Sequence, residues 1–367
     1  MFIDIFNNDT QRKKAEWIDF VSWLIHYLMD RGELTEAMSR LPISLACWNY
    51  DRTQALIEGR VRPDGIDLNF ITLPVEETFF RMIRHQEFDA SEMSLSTYVL
   101  SLFTERQPLI AIPTFPSRSF RHSSIFINKH KGIQRPQDLR GKKVGLPEYQ
   151  LTACVWIRGI LSDEYGVPVE SVSYHVGGEE EPDRPEKFDI DLPPKIKLTR
   201  IDSGKTLSSM LETGEIDALY SPRAPSCFTR GSPDVSRLYP NFEASEKEYY
   251  KRTGIFPIMH VVVIRRDIYE QNRWVARSLY KAFLEAQKIA YDDLSQTNAL
   301  KCTLPWLTSH LEETRKLMGA DFWPYGLEPN RGAIETFLRY SFDEGLAKRI
   351  PKPEEIFAKE ALESFKI

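Results

Sequence analysis

The sequence ISLAC, at residues 43–47, is a short apolar run of the length and composition of a buried β-strand. A helical stretch is predicted at residues 53–58, and the turn GRVRPDG, at residues 59–65, leads into a second apolar run at residues 66–71. Strands that alternate with helices form a largely parallel sheet. From Leu41 onward the pattern therefore predicts the α/β fold class.

A second α/β unit is predicted beyond residues 113–122, where two prolines and the lack of a helical period indicate a constrained crossing segment. This unit begins with the sequence LRGKKVG at residues 139–145 and continues into a helix through Leu161. A further strand, helix and strand follow at residues 196–220, and another apolar strand is predicted at residues 255–264. The order of elements indicates two α/β halves.

We expect the chain to divide into three parts. Residues 1–40 are predicted to be an N-terminal helical extension, which is either an added docking helix or a segment that precedes a natural start at Met38. Residues 41–115 and 262–367 are predicted to form a discontinuous first domain, and residues 116–261 a second domain. A ligand cleft is expected between the two domains.

Composition and charge exclude several classes of protein. With 367 residues, 42% of them hydrophobic and 28% charged, the chain has the composition of a folded globular protein. Its 48 basic and 53 acidic side chains give a net charge of −5, so we expect neither nucleic acid nor a membrane surface as a partner. We find no convincing export signal or anchor, and a cytoplasmic location is predicted.

Known motifs for metals and nucleotides are missing from the sequence. Its four cysteines form no C-x-x-C pair, so reduced thiols are favoured over a zinc framework. The sequence SGKT at residues 203–206 lacks the glycine that a P-loop requires, because position 199 is Thr. A metal site would need distant side chains such as His122, His260 and Glu92 to converge. No cofactor is expected, and a divalent metal stays open.

Polar residues cluster at the ends of the predicted strands, where the loops of an open parallel sheet form ligand crevices. Arginines in such a place suit planar carboxylates, because the guanidinium donates two parallel hydrogen bonds. The alternative is that these arginines pair with carboxylates of the protein and hold the two domains together. The candidates that follow predicted strands or lie in the crossing segment are Asn49, Tyr50, Asp51, Arg52, Glu92, Ser94, Arg118, Arg121, His122, Glu148, Thr152 and Arg223. His260 joins them from the middle of a predicted strand.

Several longer strings resemble those of the 4,5-dihydroxyphthalate decarboxylase family, on the type 2 periplasmic-binding-protein-like fold. The resemblance covers residues 41–367. The strings closest to the decarboxylases are WNYDRT (48–53), FPSRSFRHSS (115–124), GLPEY (145–149) and SPRAP (221–225), and those general to the fold are LRGKKVG (139–145) and GEIDA (214–218).

The resemblance implies a cleft between two α/β domains and the non-oxidative conversion of 4,5-dihydroxyphthalate to 3,4-dihydroxybenzoate. Such a reaction needs cations for the retained carboxylate, a donor for the ring carbon and an acceptor for a phenolic proton. We predict Arg121 and Arg223 as carboxylate clamps. The remaining candidates are Arg52 and Arg118 as weaker clamps, His260 or His122 as proton donor, Glu148 or Glu92 as proton acceptor or histidine partner, and Asp51, Ser94 and Thr152 as further substrate-binding residues.

Two other functions are compatible with the same fold. One is a solute-binding protein or sensor that binds an aromatic acid without chemistry, and the other is an enzyme that acts on a different aromatic acid or a pyrimidine-type precursor. In each case the partner is a small molecule, and the apolar faces of the terminal helices leave a homo-oligomer possible.

Overall fold

The structure is a computed structural model that describes residues 40–183 and 190–362. Apart from Arg40, the predicted N-terminal extension lies outside the described residues. The first part of the chain contains β1 (Leu41–Cys47), α1 (Gln54–Ile57), β2 (Ile66–Thr72), α2 (Val75–His85), β3 (Ala90–Ser94), α3 (Leu95–Ser101) and β4 (Leu109–Arg118).

The middle of the chain supplies a second set of elements, which are β5 (Ile125–Asn128), β6 (Lys143–Leu146), α4 (Thr152–Tyr165), β7 (Ser173–Val176), β8 (Lys197–Arg200), α5 (Leu207–Thr213), β9 (Ala218–Tyr220), α6 (Ser226–Thr229), β10 (Val235–Arg237) and α7 (Phe242–Thr253). The chain then returns through β11 (Ile258–Arg265), α8 (Arg266–Gln271), α9 (Trp274–Leu294), α10 (Leu307–Met318) and α11 (Arg331–Asp343). None of the helices in the described ranges is both long and apolar enough to cross a membrane.

The strands form two mixed sheets, which confirms the predicted α/β fold class. The first sheet has the order β2-β1-β3-β11-β4, and the second has the order β10-β5-β9-β6-β7-β8. Strands β1, β2 and β3 are parallel, whereas β11 runs antiparallel to β3 and β4 because the chain enters it on its return from the second sheet. The fully buried residues Val261, Val262, Val263 and Ile264 place β11 in the core.

The prediction of a crossing segment at residues 113–122 is wrong for residues 113–118, which belong to β4. Strand β4 continues through Pro113 and Pro116 to Arg118, which pairs with Ile258 of β11. Proline has no backbone N–H to donate, and it is tolerated here because β4 is an edge strand. The predicted boundaries after residues 115 and 261 thus fall inside β4 and β11, and the division into domains stays a prediction.

A buried ion pair fastens the second sheet to the C-terminal helices. The guanidinium of Arg158, in α4, donates through Nε to Oε2 of Glu344, just after α11, at 3.0 Å. Both side chains are buried, and the guanidinium also lies 3.9 Å from the centre of the Tyr149 ring. Removal of one member of such a pair leaves an uncompensated charge in the interior.

We expect Glu344→Gln to lower the free energy of unfolding by about 3–5 kcal/mol, because it leaves the Arg158 guanidinium buried without its counter-charge. Urea unfolding followed by circular dichroism measures this loss. The double variant Arg158→Met/Glu344→Gln removes both charges and should recover part of the stability. If the single variant is as stable as the unmodified protein, the pair does not hold the two parts together.

Candidate functional site

A fully buried carboxylate, that of Glu92 in β3, lies at the centre of the candidate site. Its Oε1 accepts a hydrogen bond from the hydroxyl of Tyr50 at 2.7 Å and lies 2.6 Å from Nδ1 of His260. Its Oε2 accepts from the backbone N–H of Trp48 at 3.1 Å and from the thiol of Cys47 at 3.5 Å. The end of β1, the loop after it and β11 therefore all meet at one carboxylate.

Strand pairing explains why His260 reaches Glu92. In the antiparallel pair of β3 and β11, His260 lies opposite Ser94 and Val262 lies opposite Glu92. Side chains two residues apart on a strand point to the same face, so His260 and Glu92 share one face of the first sheet. Phe79 of α2 packs edge-on against the imidazole, with ring centres 4.8 Å apart.

The surroundings of Glu92 favour its ionised form. Burial acts to raise the pKa of Glu92, but the His260 imidazole and the hydrogen bonds from Tyr50 and Trp48 outweigh it and hold the pKa below its usual value. Burial and the neighbouring Glu92 charge raise the pKa of the Tyr50 hydroxyl and of the Cys47 thiol, so both remain protonated donors.

The arrangement determines which nitrogen of His260 is available. An ionised Glu92 accepts only from a protonated Nδ1, so the second ring nitrogen, Nε2, is left for another partner. Within residues 40–183 and 190–362, Nε2 has no hydrogen-bond partner, and the His260 side chain is 17% exposed. Nε2 is thus the ring nitrogen that a bound molecule can contact.

Ser94 and Thr152 join the two halves of the molecule next to this pair. Their hydroxyl oxygens are 2.8 Å apart, and Thr152 also accepts from the backbone N–H of Ser96 at 3.1 Å. Ser94 caps α3 by accepting from the N–H of Thr97. Thr152 is the first residue of α4 rather than its cap, a position occupied by Leu151, because its hydroxyl is directed to the first sheet.

Arg52 is fixed beside the pair by contacts on several sides. Its guanidinium carbon lies over two aromatic rings, 4.1 Å from the centre of Tyr50 and 4.3 Å from that of Trp323. Its Nε donates to the carbonyl of Pro116 at 2.7 Å, and its Nη1 donates to the Asp51 carboxylate at 2.8 Å. The predicted candidates Asp51 and Arg52 are therefore an ion pair with each other.

Arg118 is engaged by the protein itself. This buried side chain donates to the carbonyl oxygens of Phe256, at 3.1 Å, and Pro324, at 2.6 Å, and also to the side-chain oxygen of Asn330. Burial lowers the pKa of Arg118 to about 10. These partners are carbonyl and amide oxygens rather than the protein carboxylates that the structural alternative named, and the role of Arg118 as a weaker clamp stays a prediction.

Arg121 has a different environment. Its Nε contacts the sulfur of Met259 at 3.1 Å, next to His260 in β11. Burial lowers the pKa of Arg121 to about 10, with smaller opposing contributions from Cys154 and from the carboxylate of Glu246. In the part of the chain that the structure describes, no carboxylate forms a salt bridge with it, so this guanidinium is a largely desolvated cation that an anionic ligand could neutralise.

Arg223 lies at a cavity between the two halves, where it forms an ion pair with Glu76 of α2 at 3.3 Å. The cavity has a volume of about 550 Å³ and is lined by α2 and by the loops after β6, β7 and β9. Glu148 follows β6 in sequence, is buried, and accepts from the side-chain amide of Gln150 at 3.3 Å. Arg223 thus spans the cavity, and its partner is a carboxylate of the protein.

His122 lies in an aromatic pocket apart from the Glu92–His260 pair. Its ring centre is 5.1 Å from that of Tyr239, 5.5 Å from that of Tyr249 and 6.4 Å from that of Tyr165. Both ring nitrogens are buried and have no hydrogen-bond partner among the residues described. Burial, with a smaller contribution from Arg252, lowers the pKa of His122 to about 4, so the ring is neutral near pH 7.

The buried His122 should make the fold sensitive to acid. Its pKa is about 4 in the folded protein and ~6.5 when unfolded, so its protonation favours unfolding. We expect the contribution of neutral His122 to the free energy of unfolding to be complete above pH ~6.5 and to fall by about 3 kcal/mol as the pH approaches 4.

In urea unfolding between pH 7 and pH 4.5, His122→Gln should lose less stability than the unmodified protein. His310→Gln, at an exposed position of α10, is the control, and identical pH profiles for all three proteins would contradict the prediction.

Sequence reasoning missed several contacts of the site. Tyr50 was one of the polar strand-end residues, but its bond to Glu92 could not be read from the chain, and Phe79 and Trp323 carried no signal beyond being apolar. The convergence of His122 with His260 and Glu92 on a metal is not seen. No group of three or more His, Cys, Asp or Glu side chains in the described ranges is placed to hold a metal ion.

Comparison with known proteins identifies close relatives of the chain. No family model matches it. It is 44% identical over 330 residues to a 4,5-dihydroxyphthalate decarboxylase from Comamonas testosteroni, covering 90% of this chain and all of that protein. A protein of the same name from Pseudomonas putida is 44% identical over 214 residues, which are 58% of this chain and 83% of that one.

A solved structure with the same fold is described as the periplasmic sulfonate-binding protein of an ABC transporter from Methylobacillus flagellatus. It has a TM-score of 0.51 and 11% sequence identity, and the match covers 88% of this chain and 93% of that one. At this identity the similarity concerns the fold alone, and it confirms the predicted periplasmic-binding-protein-like architecture.

Proposed function

The chain belongs to the 4,5-dihydroxyphthalate decarboxylase family, and we propose that it converts 4,5-dihydroxyphthalate to 3,4-dihydroxybenzoate and carbon dioxide. It is then a carboxy-lyase. The observation that carries this proposal in the structure is the Glu92–His260 pair, because decarboxylation of an aromatic ring needs a proton donor fixed in orientation. The identity over the whole length of the Comamonas testosteroni relative supports the same activity.

The chemistry of this substrate suits a single proton donor. Each carboxylate-bearing carbon has a hydroxyl group para to it, so a proton added to that carbon gives a cation that the hydroxyl oxygen stabilises. The bond to the carboxylate then breaks, its electron pair returns to the ring, and carbon dioxide leaves. One proton replaces one carboxylate, so no external electron sink is required and no cofactor belongs to the proposal.

His260 is the proposed donor. Glu92 holds Nδ1–H and balances the positive charge of the imidazolium, which leaves the proton at Nε2 for the ring carbon. His122 is less suited to this role, since its pKa of about 4 and its tyrosine pocket keep it neutral and enclosed. Phe79, edge-on to the imidazole, helps to exclude water from the donor.

Two further roles complete the proposed site. Glu148 is proposed to accept the phenolic proton while the ring carbon is protonated and to return it to the same oxygen as carbon dioxide leaves, since the loop that carries it also contributes Pro147 and Leu151 to the cavity. Arg121 is a proposed cation for the doubly charged substrate, since its guanidinium is largely desolvated and forms no salt bridge with a carboxylate among the described residues.

A solute-binding protein or sensor for the same aromatic acid is the second candidate, favoured by the shared fold with a sulfonate-binding protein.

For the decarboxylase we also propose a cytoplasmic location. It is supported by four free cysteines, three of them buried, which a reducing compartment maintains. A small aromatic carboxylate is the proposed partner. A homo-oligomer stays a prediction, as does the expected lack of nucleic-acid and membrane partners.

Incubation of the purified protein with 4,5-dihydroxyphthalate tests the proposal. We expect release of carbon dioxide and formation of 3,4-dihydroxybenzoate, and in D₂O one deuterium at the carbon that lost the carboxylate. His260→Gln should lower kcat by about 10²–10⁴-fold, the usual contribution of a positioned proton donor. Glu92→Gln should also lower kcat, because the amide no longer balances an imidazolium.

His122→Gln is the matched control for His260→Gln and should retain most of the activity. Binding of 4,5-dihydroxyphthalate without any product would favour the solute-binding alternative, whereas no binding would point to another substrate. Normal turnover by His260→Gln would remove this residue as the proton donor.

Alanine in place of Arg121 should abolish turnover while the protein remains folded, because the variant lacks the desolvated cation that attracts the diacid. Activity is measured by product formation, and folding by circular dichroism and thermal unfolding. Arg230→Ala, which removes a half-exposed arginine from the end of α6, is the control and should leave turnover unchanged. Turnover close to normal in Arg121→Ala would exclude Arg121 from the site.

A further inference from the structure

The guanidinium of Arg52 is oriented by four neighbours. Two are the aromatic rings of Tyr50 and Trp323, whose centres lie 4.1 Å and 4.3 Å from the guanidinium carbon, and two are the Pro116 carbonyl and the Asp51 carboxylate, which accept its hydrogen bonds. A planar cation stacked in this way loses little further freedom when it binds a ligand. Arg52 is therefore preorganised.

One side of this guanidinium remains available. Nε and Nη1 each have an acceptor, but Nη2 has none among the residues that the structure describes, and the side chain is only 15% exposed. An N–H group that has no acceptor in the protein and that solvent can reach is available to a ligand, and a carboxylate is the strongest acceptor for it. Nη2 can therefore donate to one oxygen of a carboxylate or to both.

Direct contacts connect Arg52 to the Glu92–His260 pair. The Tyr50 ring that stacks on Arg52 is the same ring whose hydroxyl donates to Glu92, and Glu92 in turn holds His260. In a phthalate the two carboxylates are on adjacent ring carbons. When His260 protonates one of these carbons, the second carboxylate is on the neighbouring ring carbon. It therefore lies close to the residues that surround His260, Arg52 among them.

We propose that Arg52 binds the carboxylate that the substrate keeps, and that it is a specificity-determining residue for aromatic acids. This inference rests on the proposed function, because it takes 4,5-dihydroxyphthalate as the substrate. Arg52 suits the retained group rather than the leaving one, since a fixed guanidinium can hold the same carboxylate before and after the reaction. Arg121, with its single sulfur contact, is left for the carboxylate that departs.

The product provides the sharpest probe, because 3,4-dihydroxybenzoate carries only the retained carboxylate. Isothermal titration calorimetry of 3,4-dihydroxybenzoate with Arg52→Gln should give an affinity about 10- to 100-fold weaker than that of the unmodified protein, as expected for the loss of a charge-assisted hydrogen-bond pair. In steady-state kinetics the KM for 4,5-dihydroxyphthalate should rise with little change in kcat, because the contact is present in the ground state and the transition state alike.

Two further variants keep the test decisive. Asp51→Asn keeps a side-chain oxygen that can accept from Nη1 and so can still orient Arg52, but it removes a negative charge 2.8 Å from the guanidinium at an exposed position. Product binding should therefore tighten by about twofold to fivefold. Arg60→Gln removes an exposed arginine that pairs with Glu58, just after α1, and should leave product affinity and KM unchanged. If Arg52→Gln does not fold, the effect of Asp51→Asn on product affinity decides.

A purely structural role would give a different result. Arg52→Gln would then unfold at a lower temperature but bind 3,4-dihydroxybenzoate as tightly as the unmodified protein, which would overturn the inference, as would an unchanged affinity in Asp51→Asn. The binding measurement needs no turnover. The unmodified protein could bind 3,4-dihydroxybenzoate through Arg52 and yet form none of it from 4,5-dihydroxyphthalate. The proposed function would then be wrong, and the assignment of Arg52 as a carboxylate-binding residue would still hold.

Discussion

The buried carboxylate of Glu92 constrains everything around it, because a charge without water needs several hydrogen-bond partners or a counter-ion. It obtains them from the hydroxyl of Tyr50, the backbone of Trp48, the thiol of Cys47 and the imidazole of His260. These groups belong to the end of β1, the loop that follows it and β11. The requirement to satisfy one charge therefore fixes the relative positions of residues 47–50, β3 and β11, which are distant from one another in the chain.

The chain topology places this charge where the two halves meet. β11 brings the chain back from the second sheet and enters the first sheet between β3 and β4, antiparallel to both. His260 is near the start of β11, at the end where the chain arrives, and Ser94 opposite it contacts Thr152 of the second half. A donor on this strand is therefore held by the first sheet close to a contact between the two halves.

The sequence was sufficient for the alternation of strands and helices and for the family resemblance, because apolar runs and turn residues are local signals. The antiparallel direction of β11 and the extension of β4 could not be predicted, since they depend on pairing between distant strands. The candidate residues came from strand ends, and for Glu92, His260, Ser94 and Thr152 the structure shows direct contacts. Their catalytic and binding roles stay predictions.

Residue type alone could not separate similar side chains. His122 and His260 differ in their neighbours, which are three tyrosine rings for one and a carboxylate for the other. Arg118 and Arg121 are three residues apart, yet one donates to backbone carbonyls and the other contacts a sulfur. Such differences arise from tertiary packing, and they decide which charged group is free to meet a ligand.

The protonation of the two ring nitrogens of His260, followed by ¹⁵N NMR on protein labelled at histidine, tests the central claim most directly. Loss of one set of signals in His260→Gln assigns the resonances. We expect Nδ1 to carry a proton in the folded protein, because it donates to the ionised carboxylate of Glu92. A ring that carries its proton on Nε2 and leaves Nδ1 bare would show that Glu92 does not hold His260 as an ionised partner, and the account would be wrong.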